Sequence, residues 1–240
     1  MVTVMDTKFP DGMMDDIRNF FKYVHPKLTP GQDIYHEVFD RPLFFPLQRK
    51  EELRRMIQIA RKIKPKVIME IGADKGGGLY HWFQSIPTTQ LVIPCEVRGV
   101  PYSGEFRKAF PKILHVPIEH SSYSQDAVTI TKNVLGGTRI DVLFIDGNKL
   151  EMVRDFDTYL PMMNTPSIVF MHDVTDNEPQ ASFETIRNRG YRTEVIWNTL
   201  ESFEALQRER KGIPPKNAHE TWLRHWKGKS CGVGVIYIEK

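Results

Sequence analysis

The sequence predicts an α/β fold, doubly wound around a mostly parallel, seven-stranded sheet, and three observations carry that expectation. From about residue 48 onward, continuous apolar runs alternate with stretches of helical periodicity, as strands covered on both faces by crossover helices do. One of these runs opens directly into a glycine-rich turn, "VIMEIGADKGGG" at 67–78, a feature that marks the ligand crevice of open α/β sheets. Three runs end on ionisable residues, Glu96, Asp146 and the pair His172-Asp173. A core rejects such groups unless they meet a partner.

Each element follows in chain order. A helix is expected over "DGMMDDIRNFFKYVH", with Asp11 as N-cap and Phe20, Phe21 and Tyr23 as its anchors. A Pro- and Gly-punctuated stretch then runs to "DRPLFFPLQ", so residues 1–47 read as a cap or lid, with Tyr35 and His36 able to reach a pocket beneath it. "KEELRRMIQIARKI" places Leu53, Met56, Ile57, Ile59 and Ala60 on one helical face, and Lys64-Pro65 ends it. The main domain spans 48–240.

Strands are expected at "KVIMEIG", 90–96, 113–119, 141–146, 167–173, "YRTEVIW" and 232–239. The helices between them are "GGLYHWFQSI", "GEFRKAF", "SQDAVTITKNVL", "EMVRDFDTYLPMM" and "SFETIRNRG", the last stopped by Gly190. Trp82 and Phe83 belong to helix–sheet packing rather than to a stacking platform. Residues 199–230 read as a long, loop-rich insertion, a substrate-side flap carrying Trp222 and Trp226. His219 and His225 in it have no acidic partner at metal-ligand spacing.

The bulk numbers exclude several classes. The 33 basic and 30 acidic residues are dispersed, for a net charge of +3, without the basic block of a nucleic-acid arm. No apolar run approaches the roughly 18 residues of a membrane span, and the N-terminus lacks a secretory pattern. The two cysteines, Cys95 and Cys231, are far apart and suit a reducing compartment. A cytoplasmic protein is expected, with self-association left open.

The glycine turn discriminates between nucleotide ligands. A dinucleotide fingerprint needs a second glycine that lets backbone approach a pyrophosphate, but that position is Asp74, and Glu70 precedes it on the strand. Two carboxylates repel a diphosphate and attract a ligand with ammonium and sulfonium groups, such as S-adenosylmethionine. A dehydrogenase becomes the minor alternative. The next strand ends on Glu96, about 20 residues beyond the turn, where an acid can accept both ribose hydroxyls.

"EIGADKGGG" resembles the first motif of class I S-adenosylmethionine-dependent methyltransferases. The resemblance implies a Rossmann-like methyltransferase fold in which Glu70, Gly72, Ala73 and Gly76 line the methionine end of the cofactor, and His120 and Ser121 border the adenine. In that fold the fourth strand delivers Asp146 to the catalytic rim, and the fifth brings His172 and Asp173 beside it. Those oxygen and nitrogen donors suit a divalent ion, with Mg²⁺ expected.

"DGNK" together with the strand-end "HD" is similar to the metal-dependent O-methyltransferases of the catechol and caffeoyl-coenzyme A type and their cephalosporin-hydroxylase-like relatives. The resemblance places a metal aspartate on Asp146, a catalytic lysine on Lys149 and a further ligand on Asp173. His172 stands where that group has an acid. Many relatives read "FIDGDHSYEGV", where this chain has Asn148-Lys149. The likeness covers about 48–198 and the last strand.

The expected activity is S-adenosylmethionine-dependent, metal-assisted O-methylation of a small-molecule hydroxyl. The alternatives are a ribose 2′-O RNA methyltransferase and a non-catalytic cofactor-binding scaffold. An exocyclic-amine target is disfavoured, because Pro214-Pro215, the only proline pair, lies far from the fourth strand.

Overall fold

The computed structural model describes residues 13–29, 46, 48–100, 103–196, 200–216, 220, 221, 224 and 232–239. Asp11, Tyr35, His36, His219, Trp222, His225, Trp226 and Cys231, all named above, lie outside them.

Seven strands form one sheet in the order β3-β2-β1-β4-β5-β7-β6. They are β1 (Val67–Ile71), β2 (Leu91–Cys95), β3 (Leu114–His115), β4 (Ile140–Ile145), β5 (Met163–His172), β6 (Arg192–Ile196) and β7 (Val233–Ile238). β1 to β5 run parallel, and β7 inserts antiparallel between β5 and β6. The strand order reverses at β1, so the chain leaves it for β2 on one side and returns to β4 on the other. Ligands bind at such a switch point, beyond the carboxyl ends of the strands.

Why the apolar runs are continuous is now visible. Successive side chains of a strand point to opposite faces. Ile68, Val142 and Phe144 enter one core layer while Met69, Ile71, Leu143 and Ile145 enter the other. The first layer is closed by α1 (Met13–Asn19), α2 (Lys50–Arg61), α3 (Gly77–Ser85) and α4 (Ser103–Ala109); the second by α5 (Gln125–Leu135), α6 (Met152–Tyr159) and α7 (Asn177–Arg187). Trp82 is fully buried and stacks on Phe170. No helix among the described residues is long and apolar enough to cross a membrane.

Several elements differ from expectation. The third strand shrinks to Leu114–His115 plus a single bridge from Ile118 to Cys95, because Pro94 of β2 has no N–H to donate to the Val116 carbonyl, although Val116 and Ile118 N–H still reach the Val92 and Pro94 carbonyls. The N-terminal helix passes at Phe20 into a π-turn and then a 3₁₀ turn ending at Lys27. Phe20 and Phe21 anchor it as expected, edge-on to Tyr80 at 4.8 Å and to Phe106 at 5.4 Å, but Tyr23 is 54% exposed and anchors nothing there. α7 starts at Asn177, five residues before the expected Ser182, with Asp176 at the N-cap position and its carbonyl accepting Gln180 N–H at 2.8 Å. The segment read as loop from 199 opens with α8 (Leu200–Arg210).

Candidate functional site

The tips of β1, β2 and β4 are tied by backbone at one peptide unit, that between Ile71 and Gly72. Gly72 N–H donates to Cys95 carbonyl at 2.9 Å, and Asp146 N–H donates to Ile71 carbonyl at 2.9 Å. Gly72 has φ +84°, and a Cβ there would lie 2.6 Å from the Asp146 carbonyl oxygen. The turn then climbs through Gly76, left-handed at φ 80°, into α3. Only glycine meets both demands at Gly72.

A cavity of about 640 Å³ opens above these tips, within the size range of small-molecule sites. Its wall includes Glu70, the glycine turn, Glu96, His120 to Tyr123, and Asp146, Lys149, His172 and Asp173. Every residue expected from the sequence to hold cofactor or metal or to act in catalysis therefore borders one space. Glu70 is 2% exposed, and its Oε2 accepts no hydrogen bond. Burial, then the nearby Asp146 charge, pushes its carboxyl well above the usual range. An orphaned buried oxygen facing a cavity fits a cationic ligand group, as S-adenosylmethionine carries.

Glu96 is held from three directions. Its Oε2 accepts Asp74 N–H at 3.1 Å; its Oε1 accepts Arg98 N–H at 3.1 Å and Arg98 Nε at 3.2 Å. Arg98 also pairs with Asp74, clasping the glycine turn to the end of β2. Beside it Cys95 is buried, donates its thiol to the His120 carbonyl, and is pushed up to about 12 by burial, then by Asp155 and Glu96. It is a packing residue, not a nucleophile.

His120 is exposed at the rim, Ser121 is half-buried, and Ser122 behind them is buried. Ser122 donates to Asp155 on α6, and its carbonyl accepts Tyr159 Oη. Asp155 is fully buried with Oδ2 unpartnered, and burial pushes its carboxyl up to about 6. The folded chain binds that proton more tightly than the unfolded chain. Its contribution is therefore fully present below an unfolded pKa of about 4 and lost as pH rises through about 6. Asp155→Asn keeps an acceptor for Ser122 and removes the loss. Its stability should match wild type near pH 4 and exceed it by about 2–3 kcal/mol above pH 7 in urea titrations; a pH-independent difference would refute this account.

The rim opposite the glycine turn is a compact ionic cluster. Asp146 Oδ1 accepts Lys149 Nζ at 2.5 Å and lies 3.2 Å from His172 Nδ1. Asp146 Oδ2 accepts Gln48 Nε2 at 2.6 Å. Asp173, left-handed at φ 61°, presents Oδ1 to His172 Nδ1 at 3.1 Å and Oδ2 to Lys149 Nζ at 2.8 Å. Burial alone would raise both carboxyls, but His172 and Lys149 outweigh it and hold them below their ordinary values. Burial likewise opposes the two cations, yet the carboxylates win, raising Lys149 and pushing His172 up to about 10.

One ligand atom from each of Asp146, His172 and Asp173 lies within 4.8 Å of the others. Two hard oxygens and an imidazole nitrogen fit a divalent cation. In this state Lys149 bridges the two acids. The sequence did not point to Gln48, Glu52, Arg98, Ser122, Tyr123 or Asp155. Gln48 reaches Asp146 across 98 residues of chain, and no local pattern marks such a pairing.

No protein-family model matches this chain, and none of the curated proteins does. Solved structures do. An O-methyltransferase from Bacillus cereus in complex with SAH superposes with TM-score 0.57 at 10% identity, over 98% of this chain and 94% of that one. TomG of Streptomyces achromogenes, an O-methyltransferase involved in tomaymycin synthesis and solved with SAM, gives 0.56 at 12% identity, over 98% and 93%. The SAH-bound methyltransferase PaMTH1 of Podospora anserina gives 0.54 at 16% identity, over 98% of each chain. Strand order and overall superposition give this chain the fold of these O-methyltransferase structures.

Proposed function

We propose that this protein transfers a methyl group from S-adenosylmethionine to a hydroxyl of a small molecule, with a divalent cation, Mg²⁺ by preference, at Asp146, His172 and Asp173. The observation that carries the reading is the continuity of one cavity. Its glycine-turn side offers unpaired acid to a cationic cofactor, and its other side gathers groups that can hold a hydroxyl and take its proton.

The residues divide the work by position. Glu70 and the turn at Gly72, Ala73 and Gly76 receive the methionine portion. Glu96, fixed by the Arg98 clasp, receives the ribose, and the loop from His120 to Tyr123 borders the base. The bound donor supplies an electrophilic methyl carbon on sulfur. A cation held by Asp146, His172 and Asp173 would supply Lewis acidity toward the acceptor hydroxyl. Lys149, between the two acids, is the group placed to accept the acceptor's proton once those acids are otherwise neutralised. Holding nucleophile and methyl in line is the larger part of what the rim provides.

Glu96→Ala should weaken SAH binding by about tenfold or more, consistent with loss of charge-assisted hydrogen bonds, read by calorimetry. Unchanged affinity would remove Glu96 from the ribose site. The reaction itself is tested by a screen of hydroxylated metabolites with labelled methyl donor, with and without a chelator. Tight SAH binding with no transfer to any hydroxyl acceptor would favour a non-catalytic scaffold. A metal-independent transfer is favoured by one observation, that Lys149 and His172 already neutralise both carboxylates. Chelator-resistant turnover would select it.

A further inference from the structure

We propose that Glu52 is a positioning residue for this site: it holds the His172 ring with Nε2 turned toward itself and Nδ1 presented to the gap between Asp146 and Asp173. The cation-binding part of this inference rests on the metal-assisted reading above; the ring orientation does not.

Glu52 belongs to the first turn of α2 and is wholly buried. Its Oε2 accepts Arg49 N–H at 3.4 Å, the capping contact of its own helix. Its Oε1 accepts Gly232 N–H at 3.3 Å. Gly232 immediately precedes β7, where Val233 lies opposite His172 of β5. The carboxylate is thus tied to the backbone next to the histidine's cross-strand partner, with Oε2 4.0 Å from His172 Nε2.

Two features point beyond capping. A buried carboxylate is costly unless cations face it, and besides its two backbone N–H donors Glu52 has His172, then Arg49, as the cations that offset its burial. His172 Nε2 is buried and has no hydrogen-bond partner, and Glu52 is the acid it faces. The neighbouring contact is apolar, the Phe144 ring at 6.2 Å, edge-to-face. Nδ1 faces the other way, 3.2 Å from Asp146 and 3.1 Å from Asp173. A ligating histidine is commonly oriented by a carboxylate on its second nitrogen, which leaves the first with its lone pair toward the metal. Glu52 occupies that place, reaching the site from the helix that precedes β1.

The test compares wild type with Glu52→Gln in the full chain. Glutamine keeps a carbonyl for Gly232 and turns a donor amide toward Nε2, giving up the 3.4 Å contact from Arg49 N–H. In the metal-free protein labelled with ¹⁵N-histidine, long-range ¹H–¹⁵N spectra should show the His172 ring nitrogens shifted in Glu52→Gln. Mn²⁺ affinity should fall by roughly 10- to 100-fold, and the loss should vanish when both chains also carry His172→Ala. Should Glu52→Gln not fold, Glu52→Asp, which retracts the charge by one methylene, is read by the same ring shifts. Unchanged ring signals in a folded variant, or an undiminished Mn²⁺ loss in the His172→Ala background, would overturn the proposal. If wild type binds no Mn²⁺, the metal reading fails while the ring signals still decide the role of Glu52.

Discussion

Gly72→Ala should destabilise the fold by about 4 kcal/mol, combining left-handed backbone strain with overpacking in a tight site. The residue has φ +84°, and its added methyl would lie 2.6 Å from the Asp146 carbonyl oxygen, 2.7 Å from its carbon and 2.8 Å from Gly147 N. All three are backbone atoms, so no rotamer change relieves the contact. The β1 and β4 tips, held by Asp146 N–H to Ile71 carbonyl, would have to part, and with them Glu70 and Asp146. Urea unfolding reads the loss as a lower midpoint with an unchanged slope. Gly104→Ala is the control: no atom lies within 4 Å of its added Cβ, and it falls in α4, so stability should rise by up to about 1 kcal/mol. A loss below about 1 kcal/mol at Gly72 would mean that the turn relaxes freely and the tip geometry is not constrained by backbone contact.

Asp146→Asn should lower methyl transfer by about 10³-fold, within the range that proton-handling and metal-supported groups contribute, while SAH affinity stays within a few-fold. Asparagine retains an acceptor for Gln48 but removes the charge that faces both Lys149 and His172. Lys149 is then left with Asp173, and His172 with Asp173 and the more distant Glu52. Breaking a buried ion cluster leaves charge uncompensated, so a reduced melting temperature should accompany the loss of turnover. Mn²⁺ binding should fall in parallel. Transfer within tenfold of wild type would remove Asp146 from the chemistry, and simultaneous loss of SAH binding would mark a folding defect instead.

How much was legible beforehand follows from which signals are local. β1, β2, β4, β5 and β7 were readable because strands covered on both faces must be apolar throughout, and each run ends where the chain reaches water or a ligand. The third strand was overread since an apolar run does not reveal that Pro94, on the neighbouring strand, interrupts its ladder. α8 was missed, because a charge-dense segment next to Pro214-Pro215 reads as loop when no strong apolar face announces a helix. Glu70, Gly72, Glu96, Asp146, His172 and Asp173 were found for one reason: a charge or a glycine at a strand tip is out of place in a core. Gln48 and Glu52 lie within or beside an ordinary amphipathic helix, where a polar residue raises no question until the helix is docked.

The sequence alone determined the doubly wound class, the glycine turn and the acids at the strand tips, since these depend on periodicity and on what a buried strand tolerates. Only the tertiary structure decided how those acids are compensated: Lys149 bridges Asp146 and Asp173, His172 faces both, and Glu52 stands behind the ring. The physical reason is that the energy of buried charge depends on separations of a few ångströms. Packing sets those separations between residues that are far apart along the chain.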